Sequence, residues 1–476
     1  MPTPPPAPPL KPSRSALLTR GLGPILAGAA LLACGDPPQI EPSDVGAGRP
    51  KTVIMVVACT MRAERLGAYG NTRDTSPYID ALARSGTRFD EMLSNAPWTR
   101  PGIGALVTGA HPLRLGVDIK DQEVGFNRGI SPEIQTTAER FQADGWHTIG
   151  VTSNPNANAR FGFGQGFDSY DDTGTVWQGR IDKIDGDDVI DTFVEKAREV
   201  EGKLYGMVVL VDTHRPLDWL GWRRASLGLS PFRYNLVDQY DAAVTLVDEH
   251  VRDLDRALTD MGREDRLLVF VGDHGEGLRI PKRAGSNHAR RLYNGNLKVP
   301  WILHGSRVGP DNVVEGLARS IDVAPTVLDL VGIERDASLD GVSLKEEVQG
   351  KRRITRVRDS LSVTRYGGAN KSRITTEGWI YIQSFPGDVT EPEGREELYR
   401  SSDLAQSEDL FHDEPVRAEH FQRKMNELRE GYEARQLTWE SQASEADLEQ
   451  LRALGYLEDE DGDEGDEGGG GAASGR

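Results

Sequence analysis

The hydrophobic positions of the chain fall into short continuous runs rather than alternating ones. Thr52–Ala58 (TVIMVVA), Gly206–Val211 (GMVVLV), Leu267–Val271 (LLVFV) and Val299–Leu303 are apolar almost throughout, the pattern of strands buried on both faces. Between these runs the period lengthens to that of helices. Ser76-Pro77 predicts a helix start, a capping side chain before a first-turn proline, continuing through Ile79, Leu82 and Ala83 to Gly86. Asp238–Leu258 places Ala242, Val244, Leu246, Val247, Val251 and Leu254 on one wide face, and Val323–Leu330 predicts a further helix. Strands alternating with helices predict an α/β fold, a mostly parallel central sheet with helices on both faces. From about residue 350 the pattern changes to shorter strand-like pieces, Trp379–Gln383 and Glu397–Tyr399. A main domain over residues 51–350 and a small C-terminal α+β subdomain over 351–457 are therefore expected.

The two ends read differently. Lys11, Arg14 and Arg20 precede an apolar stretch, Gly21–Ala33, and no acid occurs before Asp36. That stretch is too short to cross roughly 30 Å of hydrocarbon as a helix. It runs into Leu31-Leu32-Ala33-Cys34 and resembles a bacterial lipoprotein signal over residues 1–34, which implies lipidation at Cys34. An exported lipoprotein, membrane-anchored on the periplasmic or outer cell surface, is expected, with residues 35–50 as a flexible tether. At the other end Glu458–Arg476 is acidic and glycine-rich without apolar periodicity, and a disordered tail is expected.

Composition narrows the classes. Among 476 residues, 56 basic against 75 acidic side chains leave a net charge of −19, so no nucleic-acid partner is expected. Two cysteines, Cys34 and Cys59, cannot make a disulfide framework or a four-thiolate zinc site, and a bridge between them is not expected.

In parallel sheets ligands bind beyond the carboxyl ends of the strands. Three polar clusters fall there: Cys59-Thr60-Met61-Arg62, Asp212-Thr213-His214-Arg215-Pro216 and Gly272-Asp273-His274-Gly275-Glu276. Thr99 precedes a small-residue helix, Gly102–Thr108, whose first N–H groups favour an anion, and His288 lies downstream. Several possible metal ligands and a hydroxyl at a helix start suit metal-assisted phosphoryl or sulfuryl transfer. Each cluster taken singly also suits a strand-end turn, a helix cap or an inert core cysteine.

In their order the segments resemble the sulfatase family of the alkaline-phosphatase-like superfamily. VVACTMRAERLGAYG, APWTRPGIGALVTGAHPLRLGV, SNPNANARFGFGQGFDSYDD, DTHRPL, GDHGEGL, LKVPWILHG and SIDVAPTVLDLVGI carry the resemblance, which covers roughly Lys51–Leu457. It implies Asp273 and His274 as metal ligands with Cys59 in the place of a further one. It implies Thr99, His214 and His288 as catalytic groups, and Arg62 and Lys298 as substrate-binding groups. The sequence departs from the family at Cys59, where an aspartate is usual, and at Ile103, where an arginine is usual. Thr99 stands where the family has Cys or Ser, and only those two are oxidised to formylglycine, so no formylglycine is expected. One divalent ion, Ca²⁺ or Zn²⁺, is expected, with a small-molecule or glycan sulfate or phosphate ester as substrate. Three functions remain open from the sequence: a sulfatase-like hydrolase, a Thr-nucleophile phosphoryl transferase or phosphodiesterase, and a catalytically inactive anion-binding member.

Overall fold

The computed structural model describes residues 38, 40–120, 128–173, 186–217, 221–230, 235–279, 285, 287–335 and 338–440. The signal, Cys34 and the acidic tail lie outside the described residues. The strands are, in chain order, β1 (Thr52–Ala58), β2 (Thr87–Leu93), β3 (Ile119–Lys120), β4 (Arg128–Gly129), β5 (His147–Thr152), β6 (Ser169–Asp171), β7 (Leu204–Leu210), β8 (Arg266–Gly272), β9 (Trp301–Gly305), β10 (Asn312–Arg319), β11 (Ser360–Tyr366), β12 (Lys371–Thr376), β13 (Trp379–Ser384), β14 (Arg395–Arg400) and β15 (Trp439–Glu440). Eight of them form the central sheet in the order β10-β2-β9-β8-β1-β7-β5-β6. Every pairing in it is parallel except those of β9, which runs antiparallel to both β8 and β2.

Alternation along β1 decides which side chains meet which layer. Ile54, Val56 and Ala58 pack with the helices Pro77–Ser85, Gly186–Arg198 and Leu236–Asp260. Val53, Met55, Val57 and then Cys59 face the opposite layer, which holds the helices Thr99–Thr108, Thr137–Ala143 and Val323–Val331. Both layers are buried, which is why the strands read as continuous apolar runs.

The helix at Pro77 is capped from a distance. Ser76 makes no capping hydrogen bond of its own. Instead Asp248 of the helix Leu236–Asp260 accepts from the N–H groups of Tyr78 (3.2 Å) and Ile79 (2.8 Å), which satisfies first-turn donors that the sequence suggested Ser76 would serve.

A second sheet, β14-β13-β12-β11-β3, carries the C-terminal residues and the long helix Pro415–Glu433. Its edge strand β3 comes from the main domain and pairs in parallel with β11, and β15 pairs with β4. β11 also reaches toward the rim of the large sheet. Val363 N–H donates to Asn95 O (3.0 Å), Ser362 Oγ to Ser94 O (2.6 Å), and Thr364 Oγ1 to Ala289 O (2.6 Å). The smaller sheet thus braces the segments on either side of Thr99 and His288. At the opposite end of the large sheet, residues of the expected tether are docked: Ser43 N–H donates to Ser85 O (2.7 Å), and Asp44 pairs with Ser306.

Candidate functional site

β1 and β8 are neighbours in register, Ala58 beside Gly272, so the residues that follow them, Cys59 and Asp273, emerge side by side. The backbone turns sharply after Cys59. Thr60 has φ of 59°, a left-handed conformation that costs a β-branched residue on the order of 1–3 kcal/mol. The surroundings hold it there. Thr60 N–H donates to Asp273 Oδ1 (3.0 Å), and Tyr240 Oη donates to Thr60 O (2.5 Å). Thr213 Oγ1 donates to Cys59 O (2.5 Å), tying the loop after β7 to the same point.

Thr99 begins the helix Thr99–Thr108, three residues earlier than the sequence suggested. The helix can reach the end of β8 because residue 102 is glycine. A Cβ there would lie 2.8 Å from the carbonyl oxygen of Asp273. This approach sets Thr99 Oγ1 3.3 Å from His274 Nε2 and 3.6 Å from Cys59 Sγ. Ligand atoms of Cys59, Asp273 and His274 all lie within 4.8 Å of one another, and all three residues are buried.

Hydrogen bonding fixes what each atom offers. His274 Nδ1 lies 2.8 Å from Gly275 O, and since a carbonyl only accepts, Nδ1 carries the proton and Nε2 presents its lone pair. Asp273 Oδ1 accepts from the N–H groups of Thr60 and His274. Its other oxygen, Oδ2, is buried, accepts no hydrogen bond among the described residues, and lies 3.4 Å from His274 Nε2. Two lone-pair donors facing each other at that distance repel unless a cation or proton lies between them. Burial pushes the Asp273 carboxyl up to about 7 against the N–H groups that favour its charge. Burial likewise raises the Cys59 thiol well above its ordinary value, and the Asp273 charge adds to the rise. His274 is held well below its ordinary value by burial, then by His288 and His214. The arrangement suits a divalent ion. The residues present fit one, since an orphaned carboxylate oxygen, an imidazole nitrogen with its tautomer fixed and a sulfur converge on one point.

Beside this triad stand two more imidazoles. The rings of His274 and His288 are 4.7 Å apart, and those of His288 and His214 are 5.1 Å apart. His288 Nδ1 lies 3.2 Å from both carboxylate oxygens of the fully buried Glu276, so it donates there and leaves Nε2 for other work. His214 Nδ1 donates to Arg215 O (2.7 Å), ahead of the cis Arg215–Pro216 bond.

Not every expected residue arrives at the centre. Arg62 is buried, but its guanidinium donates to Glu276 O (3.1 Å) and pairs with Glu64, a bracing position under the Gly272–Glu276 loop. Lys298 is brought to Glu91 of β2 at 2.7 Å, an ion pair in place of the expected substrate contact. Ile103 is fully buried in the apolar layer that also contains Cys59.

Two functional positions escaped the sequence reading. Asn154 Nδ2 donates to Cys59 Sγ (3.3 Å) and to Thr99 Oγ1 (3.5 Å), and its amide is oriented by Asn156 N–H donating to Asn154 Oδ1 (2.9 Å). Asn154 follows β5, so the rule of strand carboxyl ends would have found it. His147, Thr148 and Gly150 break the apolar run and conceal that strand. Glu276 was visible in its motif, but nothing in the sequence linked it to His288.

Known proteins share parts of this sequence and much of this fold. A human arylsulfatase D is 34% identical over 113 residues, 23% of this chain and 19% of that enzyme. An ulvan-active sulfatase of Formosa agariphila is 22% identical over 366 residues, 67% of this chain and 69% of that enzyme. The chain thus spans from about a fifth to about two thirds of these relatives' lengths. Among solved structures, Ps i-CgsB in complex with k-i-k-neocarrahexaose superposes with a TM-score of 0.65 at 17% identity, covering 85% of this chain and 97% of that one. A phosphonate monoester hydrolase of Agrobacterium radiobacter gives 0.64 at 15% identity, covering 80% and 96%. The model of the family named Sulfatase matches residues 51–333, more than half of the chain, and the protein belongs to the sulfatase family.

Proposed function

We propose that the chain is a hydrolase acting on a sulfate or phosphate ester, small or borne on a glycan, with the Thr99 hydroxyl as nucleophile. The observation that carries this reading is the position of Thr99 Oγ1, which sits over the Cys59–Asp273–His274 donors at 3.3 Å from His274 Nε2 and 3.6 Å from Cys59 Sγ. A divalent ion held by those three residues would supply Lewis acidity toward the ester oxygens and help ionise a nearby hydroxyl.

The chain's own groups account for the rest. Asn154 Nδ2 holds Thr99 Oγ1 in place. The Thr99 hydroxyl gives up its proton to solvent and its oxygen forms a bond to sulfur or phosphorus as the bond to the leaving oxygen breaks, and protonated His288 Nε2 gives that leaving oxygen its proton. Glu276 keeps the His288 ring oriented for this step. Water then attacks sulfur or phosphorus, giving one proton back to His288 and keeping the other on the released product, and Thr99 leaves and regains its hydroxyl proton from solvent. A threonine ester has no hemiacetal route for expelling sulfate, so its release depends on that water. This favours phosphate or phosphonate esters over sulfate esters.

Export and anchoring through Cys34 form part of the same proposal. The test of the activity is a panel of aryl sulfate, phosphate monoester, phosphate diester and phosphonate substrates with added divalent ions. Turnover of at least one, lost in Thr99→Ala, is expected. Absence of turnover throughout the panel, or turnover indifferent to Thr99→Ala, contradicts it.

A further inference from the structure

The donors that meet beyond β1 and β8 are an unusual set for a hard ion. Calcium takes six to eight oxygens, whereas Cys59 Sγ, His274 Nε2 and Asp273 Oδ2 supply one sulfur, one nitrogen and one oxygen. We propose that this centre selects a thiophilic four-coordinate ion of the zinc class and discriminates against calcium, with Cys59 as the deciding ligand. The inference rests on reading the site as a metal centre, and it deepens that reading by naming the class of ion.

Three observations support it. Three separations among the donors and Thr99 match the edge of a small tetrahedron, and the triad's ligand atoms all lie within 4.8 Å of one another. Bonds of about 2.0–2.3 Å at tetrahedral angles put ligand atoms about 3.3–3.6 Å apart. Here His274 Nε2 lies 3.4 Å from Asp273 Oδ2 and 3.3 Å from Thr99 Oγ1, and Thr99 Oγ1 lies 3.6 Å from Cys59 Sγ. Thr99 Oγ1 is therefore within a tetrahedral edge length of two of the three donors.

Second, the sulfur has a side-chain donor aimed at it. Asn154 Nδ2 donates to it at 3.3 Å, and Asn156 fixes the orientation of that amide. A donated N–H stabilises a metal-bound thiolate more than a neutral thiol, whose sulfur is only a weak acceptor. Binding exchanges the Cys59 thiol proton, released to solvent, for the ion.

Third, Asp273 Oδ2 is fully buried, accepts no hydrogen bond among the described residues and lies at the same point. An oxygen left in that state is costly unless something charged completes it.

The experiment uses the metal-stripped full-length protein titrated with Zn²⁺, Ca²⁺ and Co²⁺, followed by calorimetry and absorption. Zinc is expected to bind at one equivalent, and cobalt to give a near-ultraviolet thiolate charge-transfer band with the intense visible bands of a tetrahedral site. Excess calcium is expected to leave that spectrum unchanged, and Cys59→Ser to abolish the charge-transfer band. Asn154→Ala is expected to weaken zinc binding by about 10–100-fold. Calcium displacing cobalt, or folded wild-type protein binding cobalt without the band, overturns the proposal. Should Cys59→Ser fail to fold, the wild-type spectrum and the calcium competition decide alone. These readouts are independent of turnover. A zinc-type spectrum without hydrolysis would count against the hydrolase reading and leave the ion assignment standing, and calcium-dependent hydrolysis would do the reverse.

Discussion

Thr99 Oγ1 and His274 Nε2 lie 3.3 Å apart across 175 positions of the chain. The contact exists because a helix start is pressed against the carboxyl end of β8, and it joins a hydroxyl at that helix start to an imidazole of the candidate metal triad. Thr99→Ala is expected to lower kcat on the order of a thousandfold or more, with metal affinity reduced far less, while Thr99→Ser retains turnover. Steady-state kinetics beside metal titration separates the two effects.

The closeness of that helix depends on Gly102. Gly102→Ala would put a methyl group 2.8 Å from Asp273 O, a backbone atom that cannot swing away. A loss of about 1–3 kcal/mol in urea denaturation is expected, with weaker metal binding because Thr99 and Asp273 are driven apart. Unchanged stability would mean that the helix and the strand end are not in contact.

Ile103 occupies the place of an arginine in the family pattern, yet restoring that residue is not expected to improve the site. Ile103 is fully buried among apolar side chains. Ile103→Arg would bury a charge without a partner and should destabilise the protein by about 3–5 kcal/mol, read from the urea midpoint.

His250 supplies a pH signature away from the triad. Its ring is buried between Asp212 at 3.2 Å and Asp187 at 3.1 Å, and it ties the helix Leu236–Asp260 to the loop that carries His214. Burial alone would lower its pKa, but the two carboxylates outweigh burial and raise it from 6.5 to about 10. A cation whose folded pKa is raised contributes its full stability below the unfolded value and loses it as pH rises through the folded one. Stability from this group should therefore be complete below about pH 6.5 and decline progressively toward about pH 10. His250→Gln should flatten stability against pH over that window, a result denaturation at several pH values would reveal.

Much of the fold was legible because the central strands are buried on both faces. β1, β7 and β8 stand within two residues of the runs read from sequence. β5 was hidden because its polar start and Gly150, which leaves room for the Tyr170 ring, break the apolar pattern. At the site, Cys59, Thr99, Asp273 and His274 could be named from strand-end position and motif. Their common point, and the role of Asn154, depended on register and on Gly102, which are relations between distant segments. Lys298 pairs with Glu91 of a neighbouring strand, a relation its motif position could not show.

The account stands or falls on whether Cys59, Asp273 and His274 share one ion. Calorimetric titration of the metal-stripped full-length protein measures that most directly, with zinc, calcium and manganese each tried and Asp273→Asn as the control. One equivalent of zinc bound by the wild type, with binding lost or greatly weakened in Asp273→Asn, is the predicted result. No heat from any of the three ions with folded wild-type protein would contradict it.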